Sequence, residues 1–362
     1  MYIVISCSIL AIILTYLESK GKIPGGMMCG FILMTTLCAI HYDYGNDYMP
    51  YYNMYKDIAA TPFSWDVISN SMIHHDSGWV LINYLFKPLG GFFTLVIFLS
   101  VVQNIIIYKF IKREVALSNQ TFAVFLYLMT TSLYMMSFSM LRQWFVVCVL
   151  LGCWRLIKER HWFKVLFILY LCTFIHGSAK LLLPLAFWGF LPVKNGKVIV
   201  SFVIGLFVIL LTSKGAINNV FSVLEGTGEF DVYFERYGDS SSDISFGFGF
   251  ILQLLPLIVA CWYLGSNHGS DEDRSLVLIS SIGFVIMVFA SVIPLVGRVS
   301  TYFTIFKIAA IPLMYSALRN RAVKYLLTSI LIMLTVYDYI MFFYNPIWIE
   351  KYFSFKTIFS AI

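Results

Sequence analysis

Four basic side chains on an otherwise apolar chain have types and positions that suit chemistry. Arg142, His176, Lys180 and Arg298 lie at or near predicted helix ends, on one predicted side of a membrane. A charge near a bilayer is costly and is usually functional, and the positive-inside rule would place most cations on the other side. Several cations together at the outer side suit a phosphorylated, lipid-linked substrate.

Each of these cations has a distinct chemical use. The Arg142 guanidinium can grip a phosphate with two parallel hydrogen bonds, although an arginine there can also simply anchor to lipid phosphate. His176 is suited to accepting a proton near neutral pH. It shares a face with Lys180 if one helix continues through both, whereas Gly177 and Ser178 would instead mark a turn between two spans.

The third cationic segment surrounds Arg298. Pro294 and Gly297 precede it and predict a break or turn in the chain. Tyr302 follows one helical turn later and can direct its hydroxyl group into the same site. Lys307 lies deeper in the predicted helix, where it needs a carboxylate or a water-filled cleft, and we interpret it as a structural pairing.

Residues 42–55 hold six tyrosines interleaved with aspartates. Aromatic faces stack on the C–H face of a sugar ring, and carboxylates accept hydrogen bonds from its hydroxyl groups. The segment therefore predicts a sugar site, with an aromatic belt at headgroup depth as the plainer alternative. The neighbouring His74-His75-Asp76 does not predict a metal site, because adjacent histidines point apart and no further ligands are suitably spaced.

The composition is that of a membrane protein, with 60% hydrophobic residues, 12% charged residues and a mean hydropathy of +0.82. Soluble domains carry about 25% charged residues. A chain of 362 residues has room for roughly a dozen helical spans and no separate catalytic domain. We predict an all-α, polytopic fold with twelve spans near residues 2–17, 25–41, 91–110, 121–137, 139–157, 162–176, 178–192, 197–213, 246–264, 275–296, 300–318 and 324–343.

The distribution of lysine and arginine predicts the orientation. Fifteen of the 25 cations fall in the loops assigned to the inner side, and each short inner loop carries at least one. Two large loops, 42–90 and 214–245, then face the exterior, and residues 344–362 form an interfacial amphipathic helix. We predict one membrane domain over residues 1–362. The seven cysteines lie in apolar stretches and form no zinc or disulfide pattern.

Five short segments stand out across roughly residues 40–310. They are Gly45-Asn46-Asp47-Tyr48 with Tyr51 and Tyr55, Asp76-Ser77-Gly78-Trp79, Leu141-Arg142-Gln143, Phe174 through Ala179, and Gly297-Arg298 through Tyr302-Phe303. Taken together and in this order, they resemble the EpsG family of bacterial exopolysaccharide polymerases, which is similar in role to Wzy-type polymerases. The family's pattern has an acidic residue and a proline before the glycine of the second segment, where this chain has Asp76-Ser77.

The resemblance implies a GT-C-like glycosyltransferase that works without a metal or other cofactor in the bacterial inner membrane, with its site facing the periplasm or exterior. It implies metal-independent, inverting transfer of a glycan between undecaprenyl-pyrophosphate-linked oligosaccharides. Membrane lipids are further partners, with or without a chain-length regulator, and nucleic acid is not expected. The expected base is His176, with Asp47 or Asp76 as second choice. The expected pyrophosphate ligands are Arg142, Arg298, Lys180 and Tyr302. The expected sugar ligands are Tyr48, Tyr51, Tyr55, Gln143 and Arg236, together with Asp47 if it is not the base.

Two other functions fit a chain of this kind. A lipid-linked oligosaccharide flippase would need a cationic cavity reaching the middle of the bilayer, whereas these cations gather at the predicted outer ends. A membrane O-acyltransferase would also use a histidine at a helix end, but the segment rich in tyrosine and aspartate is less expected there.

Overall fold

The computed structural model of the protein describes residues 1–69, 76–212, 248–288 and 294–360. Within these ranges every regular element is a helix, and one isolated antiparallel bridge pairs His41 with Thr357. Apolar segments in a bilayer must satisfy their backbone hydrogen bonds internally, which helices do. The predicted all-α fold is confirmed.

The chain divides into two compact units. The first unit comprises residues 1–189 together with 335–362, and the second comprises 190–334. The first unit holds these helices: α1 Tyr2–Ser19, α2 Gly26–Ile40, α3 Tyr48–Ala60, α4 Trp65–Ser69, α5 Ser77–Phe86, α6 Phe92–Glu114, α7 Gln120–Met129, α8 Leu141–Lys158 and α9 Trp162–Thr173. A 3-10 helix over Gly177–Phe190 ends this part of the chain.

Long apolar helices form the frame of the first unit. Helix α1 packs against α2 and α7, α2 packs against α6, and α6 packs against α8. Between α7 and α8 the chain makes a π-helical turn over Thr131–Met135. This frame brings the start of α8 close to the segment that follows α2.

The predicted exterior loop 42–90 is itself largely helical. It contains α3, α4 and α5, and α5 packs against α3, α4 and α6. Four of the six interleaved tyrosines, Tyr48, Tyr51, Tyr52 and Tyr55, therefore lie on α3, and Tyr42 and Tyr44 precede that helix.

The second unit is built from α10 Gly196–Thr212, α11 Phe248–Gly265, α12 Asp271–Val288, α13 Pro294–Thr304 and α14 Lys307–Ser316. Helix α12 packs against α11, α13 and α14. Helix α15, Arg321–Tyr344, contributes residues to both units, and α16, Pro346–Tyr352, belongs to the first.

Three described helices are long and apolar enough to cross a membrane, namely α1, α6 and α15. Four shorter apolar helices accompany them, within α2, α9, α10 and α11. Three predicted spans take a different form. The span 121–137 is divided between α7 and the π-helical turn over Thr131–Met135. The span 178–192 is the 3-10 helix, whose 14 residues at roughly 2 Å rise per residue extend about 28 Å. The span 300–318 is divided between α13 and α14, and α13 continues through Gly297. The total of twelve spans stays a prediction.

Two ion pairs in the first unit join residues that the orientation prediction assigns to the same, inner side. Lys112 Nζ lies 2.8 Å from a carboxylate oxygen of Glu18, and Lys158 Nζ lies 3.0 Å from one of Glu114. These ion pairs join α1, α6 and α8 at the end predicted to face inward. The assignment of that end to the cell interior rests on the lysine and arginine distribution.

Candidate functional site

A buried ion pair joins two of the predicted site residues. Arg142, in the first turn of α8, donates a hydrogen bond through Nη1 to Oδ2 of Asp76, the residue before α5. The side chains are 10% and 7% exposed, respectively. Removing two charges from water is expensive, and a buried pair needs good geometry and further hydrogen bonds to offset that cost.

Tyr51 of α3 supplies a second contact to the guanidinium. Its hydroxyl oxygen lies 3.4 Å from Arg142 Nε, and its ring centroid lies 5.2 Å from Arg142 Cζ. The Tyr51 ring packs in turn on Trp79 of α5, with centroids 5.8 Å apart. Tyr51 of α3 and Asp76, just before α5, approach the guanidinium from two different segments. These two contacts fix the orientation of its plane.

These residues sit on a hydrophobic cluster shared by α3, α5, α6 and α8. We refer to it as the buried cluster, and its members are Tyr48, Tyr51, Trp79, Phe92, Leu95, Val96, Leu99 and Leu141. Because Leu141 directly precedes Arg142 and Trp79 lies three residues after Asp76, packing of this cluster sets both ends of the ion pair.

The segment leading to His176 docks on the start of α5. The Phe174 carbonyl oxygen accepts hydrogen bonds from the backbone N–H groups of Gly78, at 2.8 Å, and Trp79, at 3.3 Å. Ile175 packs against the buried cluster. The histidine thus follows directly after two residues that are tied to α5.

The α-helical turn that would place His176 and Lys180 on one face is not formed. Helix α9 ends at Thr173, and the 3-10 helix begins at Gly177, so His176 lies in the connection between them. Its backbone carbonyl accepts a hydrogen bond from Ala179 at 2.9 Å. His176 is half-buried and Lys180 is exposed. Of the two alternatives left open by the sequence, the turn is the one observed.

A glycine is required at position 78 because the backbone of Phe174 lies very close to it. A Cβ atom on Gly78 would lie 2.9 Å from the Phe174 carbonyl oxygen and 3.0 Å from its carbonyl carbon. We expect Gly78→Ala to push the 174–176 segment away from α5, at an overpacking cost of about 1–3 kcal/mol, and to lower activity because His176 directly follows that segment. Turnover per folded molecule, measured on purified protein, checks this.

Gly205→Ala is the matched control, because a Cβ atom on Gly205 meets nothing within 4 Å. Alanine in a helix interior is favoured over glycine by roughly 1 kcal/mol, so this variant should be at least as stable as the parent protein and equally active. Equal activity in both variants would show that contact between α5 and residue 174 does not matter to the reaction.

The predicted sugar ligands occupy different environments. Tyr48 and Tyr51 are buried members of the buried cluster, and Gln143 is buried in α8. Tyr55 is half-buried and packs on the ring of Phe92 with centroids 5.9 Å apart. The sequence pattern does not distinguish the buried tyrosines from the half-buried one, because all of them lie on the same helix.

Asp47 is held at the N-terminus of α3. Its backbone N–H donates a hydrogen bond to Ser139 Oγ at 3.0 Å, three residues before Arg142. Sequence reasoning missed Ser139, which follows the π-helical turn and offers no motif of its own. This contact links the first segment of the resemblance to the third.

Four of the five segments therefore converge in the first unit: 45–55, 76–79, 141–143 and 174–179. Arg298 and Tyr302 lie in α13 of the second unit, where Arg298 is half-buried and Tyr302 is fully buried. Their assignment to pyrophosphate stays a prediction. Arg236, the loop 214–245 and His74-His75 lie outside the described residues. Among the described residues, no group of three histidine, cysteine, aspartate or glutamate side chains is placed to hold a metal ion.

Comparison with known proteins identifies a family for this chain. The model of the EpsG family matches residues 27–356, a range that includes all four converging segments and the fifth. Comparisons with curated proteins and with solved structures found no match.

Proposed function

Because the chain belongs to the EpsG family, whose members are Wzy-type polysaccharide polymerases, we propose that it transfers a glycan from one undecaprenyl-pyrophosphate-linked oligosaccharide to a hydroxyl group of another. We place the reaction at the membrane face where α3, α5 and α8 begin. The observation that carries this proposal is the convergence of four distant segments on the buried Asp76–Arg142 pair.

The proposed reaction forms one C–O bond and breaks one. The acceptor hydroxyl oxygen attacks the anomeric carbon of the donor sugar, and the bond from that carbon to the pyrophosphate oxygen breaks. The electron pair leaves with undecaprenyl pyrophosphate, and His176 takes the proton of the hydroxyl group. Attack from the side opposite the leaving group inverts the anomeric centre.

Arg142 has a defined part in this scheme. Pyrophosphate is a good leaving group, so donors that stabilise its developing charge suffice, and such donors act best when their orientation is fixed beforehand. Asp76 and Tyr51 hold the guanidinium in one orientation. We therefore assign Arg142 to the leaving pyrophosphate and Asp76 to the positioning of Arg142, which leaves His176 as the preferred base and Asp47 as the second choice.

The test is a mixture of the purified protein in proteoliposomes with an undecaprenyl-pyrophosphate-linked repeat unit, followed by mass spectrometry. We expect lipid-linked products that grow by whole repeat units. Movement of the lipid across the bilayer without longer products would indicate a flippase, and acylated sugar would indicate an acyltransferase; either result would overturn the proposal.

A further inference from the structure

The C-terminal segment folds back on the first segment of the site. Lys351 Nζ lies 2.9 Å from Asp43 Oδ1, and Lys356 Nζ lies 3.2 Å from Asp43 Oδ2. The backbone N–H of Tyr42 donates a hydrogen bond to the Lys356 carbonyl oxygen at 3.0 Å. These contacts join residues about 310 positions apart in sequence, since Asp43 and Lys351 are separated by 308.

Further contacts extend along the same two segments. Asn46 Nδ2 donates a hydrogen bond to the Ile347 carbonyl oxygen at 3.1 Å. The buried ring of Tyr44 meets the rings of Tyr352 and Phe355, each with a centroid separation of 5.0 Å. A backbone bridge between His41 and Thr357 adds a further contact between the two segments. The tail therefore covers residues 41–46 continuously.

The opposite side of residues 41–47 faces the chain that leads into Arg142. A Cβ atom on Gly45 would lie 2.8 Å from the Phe138 carbonyl oxygen, and Gly45 has a φ of +115° that L side chains rarely adopt. Asp47 donates to Ser139, as described above. The Tyr352 hydroxyl group donates to the Met135 carbonyl oxygen at 3.2 Å, so the tail also contacts the 135–139 turn directly.

Two ion pairs at Asp43, with Lys351 and Lys356, join the tail to residues 41–47. Burial raises the pKa of this carboxyl group, but the hydrogen bonds from Lys351 and Lys356 outweigh that effect and hold the pKa below its usual value. Asp43 also has a φ of +44°, a left-handed conformation that aspartate and asparagine tolerate better than most residues. Its carboxylate is thus available to both lysines at neutral pH.

We propose that residues 346–357 are a positioning element of the active site, which clamps residues 41–47 against the 135–139 turn and thereby sets Asp47 relative to Arg142. The inference rests on the proposed function. It assigns Asp43, Lys351 and Lys356 as positioning residues, which act through the placement of Asp47 relative to Arg142. Because their side chains are 17%, 29% and 53% exposed, removing them should disturb geometry more than stability.

A double-mutant cycle tests this assignment. Asp43→Asn tolerates the left-handed backbone, and Lys351→Met with Lys356→Met keeps the length of the tail side chains. We expect each change to lower kcat per folded molecule about 10-fold with little change in KM. The combination should be no worse than the more impaired of the two, because both changes break the same clamp.

Two controls accompany the cycle. Lys22→Met, an exposed lysine at the other end of the unit, should leave kcat unchanged, and Lys351→Arg with Lys356→Arg should retain activity. Unchanged kcat in Asp43→Asn, or fully additive losses in the combination, would overturn the inference while leaving the proposed function intact. Failure of the unmodified protein to extend glycans would instead overturn the proposed function.

Discussion

Arg142→Gln should lower the rate of chain growth about 10²–10³-fold, and adding Asp76→Asn should restore the stability of the protein without restoring activity. Removing one partner of a buried ion pair leaves the other charge buried and unpaired, which costs about 3–5 kcal/mol. Replacing both charged partners removes the unpaired buried charge, and apolar replacements of similar shape are close to neutral for stability. The loss of a group that stabilises the leaving charge lowers the rate about 10²–10³-fold whatever the fold's stability.

We would measure thermal unfolding and turnover in the two single variants and in the double variant. Together these measurements separate the contribution of the pair to stability from its contribution to the reaction rate. Arg155→Gln is the matched control, since Arg155 lies on the same helix and forms an exposed pair with Glu159 at 2.7 Å. Exposed pairs of this kind contribute at most about 1 kcal/mol. If the double variant regained activity along with stability, Arg142 would be a structural residue and not a ligand of the pyrophosphate.

His176→Ala should lower the rate of glycan transfer about 10²–10⁴-fold, the range that a general base contributes. The fold should persist, because the hydrogen bonds from Gly78 and Trp79 to the Phe174 carbonyl oxygen and the packing of Ile175 on the buried cluster do not use the His176 side chain. Added imidazole should recover part of the activity in the variant. Initial rates of product formation, with and without imidazole, measure both effects.

His161 provides the control, because it precedes α9 whereas His176 follows it. It is 47% exposed and lies 3.5 Å from a carboxylate oxygen of Glu159. His161→Ala should retain full activity. Full activity in His176→Ala would contradict its role as the base and would move that role to Asp47.

The sequence predicts the class of fold well because apolar length and periodicity determine it. It also identifies four segments that converge at the candidate site, since charged residues in apolar surroundings stand out. It does not predict which charges pair. Asp76 and Arg142 are 66 positions apart, and either could have met another charged residue.

The limits of the prediction are clearest in the tyrosine segment and the tail. Tyr48 and Tyr55 have the same chemistry in the sequence, yet one is buried and the other half-buried, because helix packing decides which ring faces the interior. The tail predicted to be interfacial contains α16, and its contacts with Asp43 depend on a chain reversal that no local pattern encodes. Such long-range contacts are visible only in the folded structure.

The most direct test of this account counts undecaprenyl pyrophosphate released per glycan transferred. Purified protein would receive a lipid-linked donor labelled on its phosphate, and mass spectrometry would count repeat units added to an unlabelled acceptor. We expect one labelled undecaprenyl pyrophosphate to be released for each glycan added, and both events to be about 10²–10³-fold slower in Arg142→Gln. Pyrophosphate release without glycan transfer, or transfer that is unchanged in that variant, would contradict this account.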